Sequence, residues 1–217
     1  MIGILMLDTA FPRYLGDVGN PETFDHPVLY GVVPGATPDA IVCGDVTKWV
    51  DAFVAEGQSL VAKGCVGLTT TCGFLTPLRD RVAEDTGVPV VTSALELIPD
   101  LIGAGQQPGI LTISAASLSQ EHLKAARVPL STPVQGVDGG HFATAILGNE
   151  TALNSDDSER DLVIGAMSLI AAHPKTDVIV LECTNMAPHT AAIEAATGRP
   201  VVSILTAIEN LHRGHRR

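Results

Sequence analysis

The feature that most constrains this chain is a repeat inside it. Cys72 and Cys183 stand 111 residues apart, and so do two later strings, Gly87-Val88-Pro89-Val90-Val91 and Gly198-Arg199-Pro200-Val201-Val202. Earlier in each half stand Gly3-Ile4-Leu5 and Gly109-Ile110-Leu111, at the slightly different spacing of 106. Each half therefore reads as a strand, an excursion, a strand ending in Cys, a helix, and a Gly-x-Pro-Val-Val strand. Duplicated α/β units set their equivalent strand ends opposite one another across a pseudo-twofold axis, and ligands of parallel sheets bind at the carboxyl ends of strands. Cys72 and Cys183 are thus expected to face one cleft.

Short apolar runs alternate with longer segments of helical period, the pattern of an α/β protein on parallel sheet. The runs predict strands at Ile2–Leu7, Pro27–Val33, Gly67–Thr71, Val88–Val91, Gly109–Ile113, Val134–Val137, Val178–Leu181 and Val201–Ile204. Helices are expected near Asp45–Lys63, Pro77–Thr86, Ala94–Ala104, Leu118–Ala126, Asp156–Ala172 and Ala187–Thr197, with loops at Gly31–Pro38 and Gly148–Ser158. Near-continuous Val/Ile/Leu strands suit a sheet covered on both faces. The division that follows is 1–95 with 205–217 as one half and 96–204 as the other.

A chain of 217 residues, 46% hydrophobic, has ample core, and its formal charge of −11 argues against partners such as nucleic acid or an anionic membrane. The amino terminus lacks a basic region and meets Asp8 too early for a signal peptide, and nowhere do 18 apolar residues run together. A soluble cytoplasmic protein with reduced thiols is the expectation. The four cysteines form neither a CxxC pair nor a Cys-His cluster, so no structural zinc is expected, and no glycine-rich phosphate loop occurs.

The chemistry lies in the cysteine pair. Thr70-Thr71-Cys72-Gly73-Phe74 and Glu182-Cys183-Thr184-Asn185 each follow a predicted strand and precede a helix. Amides at such a turn favour anions and raise the thiolate fraction of a cysteine. Two opposed thiols suit removal of a proton beside a carboxylate on one face and delivery of a proton on the other, without a cofactor. Enolate-like charge then needs preorganised donors. The amides of Gly73 and Thr184 and the hydroxyls of Thr70, Thr71 and Thr184 are the candidates. Cys43 and Cys65 read as small buried hydrophobes. In the segment Phe11–Pro21, a strand-end loop placed to close over the site, Arg13 is a candidate partner for a second carboxylate, and Asn20 lies in the same loop. Asp8, Phe74, Ser114 and Asn185 complete the expected substrate-binding set. His189 reads as a surface helix residue, and His212 and His215 as part of a solvated basic tail.

At these residues the sequence resembles the aspartate/glutamate racemase superfamily, which also includes hydantoin racemases, maleate isomerases and arylmalonate decarboxylases. Leu181-Glu182-Cys183-Thr184-Asn185-Met186 is similar to the family's second cysteine motif, and Thr71-Cys72-Gly73-Phe74 sits where the first is expected. Leu7-Asp8-Thr9 is similar in position to the Asp-Ser after the first strand of glutamate racemases. The resemblance implies two flavodoxin-like halves with the site between them, no pyridoxal phosphate or metal, and a homodimer. Aspartate and glutamate racemases carry Cys-Asn-Thr where this chain has Cys72-Gly73-Phe74, and often His or Glu where it has Asn185, which implies a different small carboxylate substrate.

The leading expectation is a cofactor-independent racemase or epimerase with Cys72 and Cys183 as its acid/base pair. The alternatives are a cysteine-dependent isomerase or decarboxylase on the same scaffold, a non-catalytic small-molecule binder, or a thiol redox protein.

Overall fold

The computed structural model describes residues 1–214. Eight strands form two four-stranded parallel sheets. The first holds β1 (Ile2–Leu7), β2 (Val28–Val33), β3 (Gly67–Thr70) and β4 (Val90–Val91), in the order β2-β1-β3-β4. The second holds β5 (Pro108–Thr112), β6 (Val134–Gly136), β7 (Val178–Leu181) and β8 (Val201–Val202), in the equivalent order β6-β5-β7-β8.

The repeat survives at the level of register. Leu5 pairs with Thr70 and Leu111 with Leu181; Leu68 pairs with Val90 and Ile179 with Val201. The change of spacing from 106 to 111 is absorbed between β6 and β7. That stretch holds α6 (His141–Leu147) and the 18-residue α7 (Ser155–Ala172), where the first half has α1 (Pro38–Val42) and the 13-residue α2 (Val50–Ala62).

After each cysteine comes the same sequence of turns. A 3-10 segment runs Gly73–Leu78 or Thr184–His189, followed by an eight-residue helix, α3 (Arg79–Thr86) or α8 (Thr190–Thr197). Pro77 and Pro188 explain the break. Proline has no N–H to give an α-helix and pushes the preceding residue out of α geometry, so regular helix starts two residues later than the sequence suggests at Arg79 and three later at Thr190. Both helices end on a left-handed glycine, Gly87 (φ 71°) and Gly198 (φ 64°), where a side chain would be strained.

The remaining helices are α4 (Ile98–Gly103), α5 (Gln120–Ala125) and α9 (Ile204–Gly214). Three elements depart from expectation. Helix α1 falls partly in the segment read as loop, although Thr37 caps it through Ala40 N and Pro38 sits at its first position. Helix α6 was not expected, and Ile204, expected to end a strand, begins α9. Helix α9 packs Ile204, Ala207 and Ile208 over Ile4 and Val18 of the first half, with Val28, Tyr30 and Val91 around them. Its His212 ring stacks on His26 (centroids 3.9 Å apart), so the tail is packed there rather than solvated; residues 215–217, including His215, lie outside the described residues. One apolar core runs through both sheets, from Leu5, Phe53 and Leu68 to Ile110, Phe142 and Leu181.

Candidate active site

Cys72 and Cys183 cap the two 3-10 segments at the carboxyl ends of β3 and β7. Both are free thiols, 8% exposed, and both line one buried cavity between the halves. Its wall combines strand ends and loop from the first half (Leu7, Phe11, Arg13) with Ile113 and Asn185 from the second. Helices α1 and α6, which pack on each other, add Pro38, Val42 and Ile146. The cavity holds about 20 Å³, room for roughly one water molecule. A wider depression of about 400 Å³, lined by Gln107, Pro108 and Lys175, lies at the amino end of β5, away from both sulfurs.

Geometry around the two sulfurs is matched in backbone and unmatched in side chains. The amide of Phe74 faces the Cys72 thiol and that of Asn185 faces Cys183, each favouring thiolate. Burial outweighs them and pushes Cys72 up to about 12 and Cys183 well above its ordinary value. The next cause for both is Glu182, fully buried between the turns. Its Oε2 accepts from Thr112 Oγ1 (2.8 Å), and its Oε1 has no partner among the described residues. Burial raises the Glu182 carboxyl to about 8, so at neutral pH it is mainly the neutral acid. Gly73 exists for this contact: a Cβ there would stand 2.3 Å from Glu182 Oε1 and 2.4 Å from its carbonyl oxygen.

Arg13 enters the cavity wall, but its charge is engaged within the chain. Nη1 donates to Asp17 Oδ1 (3.1 Å), Nη2 to Thr9 Oγ1 (2.8 Å), Cζ stacks 4.5 Å over the Phe11 ring, and Nε is buried without a partner. Asn20 steadies the loop by donating to Arg13 O and capping Glu22 N; it does not line the cavity. The loop is tied across the cleft by Asn149, which bonds Ala10 N and Asp8 O, and by the Tyr14 hydroxyl to Leu153 O.

Of the expected binding residues, Arg13, Thr71, Gly73, Phe74 and Asn185 line the cavity beside the cysteines. Asp8 is exposed and accepts from Gly35 N, a turn-holding role. Ser114 caps its own turn through Ser117 N. The hydroxyls of Thr70 and Thr184 are spent on backbone carbonyls, Thr70 on those of Cys72 and Thr92 and Thr184 on that of Thr71 (2.7 Å), the last fastening the halves together. Thr71 Oγ1 accepts from Leu7 N. Cys65 is buried as expected, whereas Cys43 is exposed, because α1 turns it outward. His189 is buried, 3.5 Å from Glu159, and not a surface residue. Asp17 and Glu182 are the polar residues that sequence reasoning missed. The signal for Glu182 was an acid directly before Cys183, at the position equivalent to Thr71; Asp17 sat in an irregular loop with no pattern to mark it.

Two parallel-sheet lobes with a cysteine from each at a shared cleft define the class: the chain has the fold of the aspartate/glutamate racemase superfamily. Among solved structures, arylmalonate decarboxylase matches with a TM-score of 0.60 at 18% identity, over 92% of this chain and 86% of that one. Glutamate racemase from Francisella tularensis subsp. tularensis SCHU S4 matches at 0.58 and 12%, over 93% and 74%. Allantoin racemase from Klebsiella pneumoniae matches at 0.59 and 14%, over 98% and 87%. By sequence, the chain is 28% identical over 229 residues to a dimethylsulfoniopropionate lyase of Durusdinium sp. clade D, covering 98% of this chain and 74% of that protein. It is 30% identical over 221 residues to dimethylsulfoniopropionate lyase 7 of Emiliania huxleyi (strain CCMP1516), covering 94% and 64%. No family model matches the sequence. Among the described residues no helix is long and apolar enough to cross a membrane, and no group of three or more His, Cys, Asp or Glu is placed to hold a metal ion.

Proposed function

We propose that this chain is a cysteine-dependent lyase that removes the α-proton of a small carboxylate and expels a β-substituent, with a sulfoniopropionate as the favoured substrate. The observation that carries it is the convergence of Cys72 and Cys183, with Arg13, on one mostly apolar cavity. The relatives turn that reading from inversion toward elimination, the lyase side of the alternatives.

The reaction balances without a cofactor. A thiolate takes the Cα proton, the C–H electrons form the Cα=Cβ bond, and the Cβ–S bond breaks with its pair going to sulfur. An acrylate and a neutral dialkyl sulfide leave, and the thiol returns its proton to water. The barrier is the charge that develops on the carboxylate, which preorganised donors must carry. Arg13, released from Asp17 or sharing it, and the amides of the two cysteine turns are the donors we assign to that charge. The apolar wall of Phe11, Phe74, Ile113 and Ile146 suits the alkyl groups on sulfur.

A cationic substrate also answers the thiols' high resting pKa. Burial holds both protonated, and a sulfonium entering the cavity favours the thiolate by direct attraction. The cavity is too small for such a substrate as it stands, so admission requires the loop over it, Thr9 to Gly19, to open and close again. We further propose that residues 1–95 with 205–217 form one lobe and 96–204 the other, a division supported by α9 packing on the first sheet.

The test is to incubate the purified protein with dimethylsulfoniopropionate and follow dimethyl sulfide in the headspace and acrylate in solution. The two products are expected in equal amounts, falling at least a hundredfold in Cys72→Ser. Absence of both products with the wild-type protein sinks the reading. The retention of two equivalent cysteines favours a second reading, inversion of a chiral acid; it would show as solvent deuterium entering the α-position of an otherwise intact acid.

A further inference from the structure

The two halves match at Cys72 and Cys183 but not two residues on, where the first has Phe74 and the second Asn185. Asn185 is 8% exposed and its orientation is fixed from behind. Its Nδ2 donates to Asp17 Oδ2 (2.7 Å), and a carboxylate only accepts, so the amide must turn its NH2 that way. Oδ1 is thereby left facing Cys183, whose Sγ–H donates to it at 3.7 Å. Asp17 is itself held by Arg13 Nη1 and by Gly19 N (2.6 Å).

A carbonyl oxygen aimed at a sulfur rewards the S–H form and repels the thiolate. Among the described residues Cys72 has no such acceptor. Phe74 offers it only a backbone amide and an apolar ring, and the Arg13 charge favours its thiolate. Cys183 instead feels the Asp17 anion. Glu182 bears on both thiols and does not discriminate between them.

We infer that Asp17 and Asn185 are positioning residues that keep Cys183 in its thiol form, leaving Cys72 to take the substrate proton. This rests on the acid/base reading of the pair and deepens it. Inversion needs two sulfurs able to exchange roles, whereas elimination needs one base, and Cys183–H, turning from Asn185 Oδ1 to the substrate, then serves as a donor to the charge growing on the carboxylate.

The experiment is site-resolved alkylation, which requires no turnover. The wild-type protein, Asn185→Leu and Asp17→Asn are treated with iodoacetamide at fixed pH and the rate at each cysteine is read by peptide mass spectrometry. Alkylation follows the thiolate fraction. Exposed Cys43 calibrates the reagent, and buried Cys65 reports whether a variant has stayed folded. The expected result is that Cys72 reacts faster than Cys183 in the wild type. The Cys183 rate rises about tenfold in Asn185→Leu, one pKa unit of lost discrimination, while Cys65 remains protected. Asp17→Asn moves it the same way, since the new amide can hold Oδ1 and turn Nδ2 to the sulfur. Cys183 reacting as fast as Cys72 in the wild type, or unchanged rates at Cys183 in both folded variants, overturns the assignment. Failure of the lyase reading shows separately, as no dimethyl sulfide from a protein whose thiols are nevertheless unequal.

Discussion

Replacing Glu182 with Gln isolates the energetic cost of placing an ionisable group under both thiols. The carboxyl has an ordinary value of 4.5 and is raised to about 8 by burial, with Thr112 as its sole hydrogen-bond partner among the described residues. An acid whose folded value lies above its unfolded one binds more protons when folded across that window. Its contribution to stability is therefore fully present below about 4.5 and lost as pH rises through about 8. Each pKa unit corresponds to about 1.4 kcal/mol, so the loss is on the order of 4 kcal/mol by the top of the window. That is a large share of the ~5–15 kcal/mol by which a folded protein is stable. Gln cannot ionise and is close to the neutral acid in shape, so Glu182→Gln should match the wild type near pH 5 and exceed it increasingly toward pH 8. Urea unfolding at pH 5, 6.5 and 8, followed through the single tryptophan, Trp49, measures the gap directly. A variant-minus-wild-type difference that stays flat across these three pH values would refute the reasoning, because it would mean Glu182 ionises as readily inside as outside.

The space above Glu182 gives a second outcome. Gly73→Ala drives a methyl to 2.3 Å from Oε1 and 2.4 Å from the backbone oxygen of Glu182, an overpacking cost of ~1–3 kcal/mol that should lower the melting temperature by about 5 °C; an unchanged melting temperature would contradict the contact. Arg13→Lys keeps the charge but loses the planar fork that spans Asp17 and Thr9, so KM for the sulfoniopropionate should rise about tenfold with a smaller change in kcat; equal KM values would remove Arg13 from carboxylate binding.

Much of this architecture was legible because duplication leaves marks that physics does not erase. The 111-residue spacing of the cysteines and of the Gly-x-Pro-Val-Val strands reappears in the fold as matching turns, matching glycine caps and matching register. The sequence places the start of α3 too early, at Pro77, and gives no sign of the short helix that opens at Pro38, since the same residue breaks one helix and starts another. Site residues divided along a similar line. Cys72, Cys183, Phe74 and Asn185 follow strand ends, where topology fixes position. Asp8, Asn20 and Ser114 looked equally well placed, yet their side chains close local turns. Whether a polar side chain faces a ligand or its own backbone depends on rotamer and loop path, which no spacing encodes. Glu182 and Asp17 escaped for the complementary reason: each acts through what it touches across the cleft, in Gly73 and Asn185.

Helix α9 carries an implication for how the protein is made. The sheet face holding Ile4 and Val28 is covered by a helix translated more than a hundred residues after β4. At ~5–20 residues per second, the nascent first lobe waits about ten seconds with an oily flank bare, long enough for a neighbouring polysome product to stick to it. A chaperone that shields the ribosome exit should therefore raise the soluble yield more than any change to the catalytic cleft.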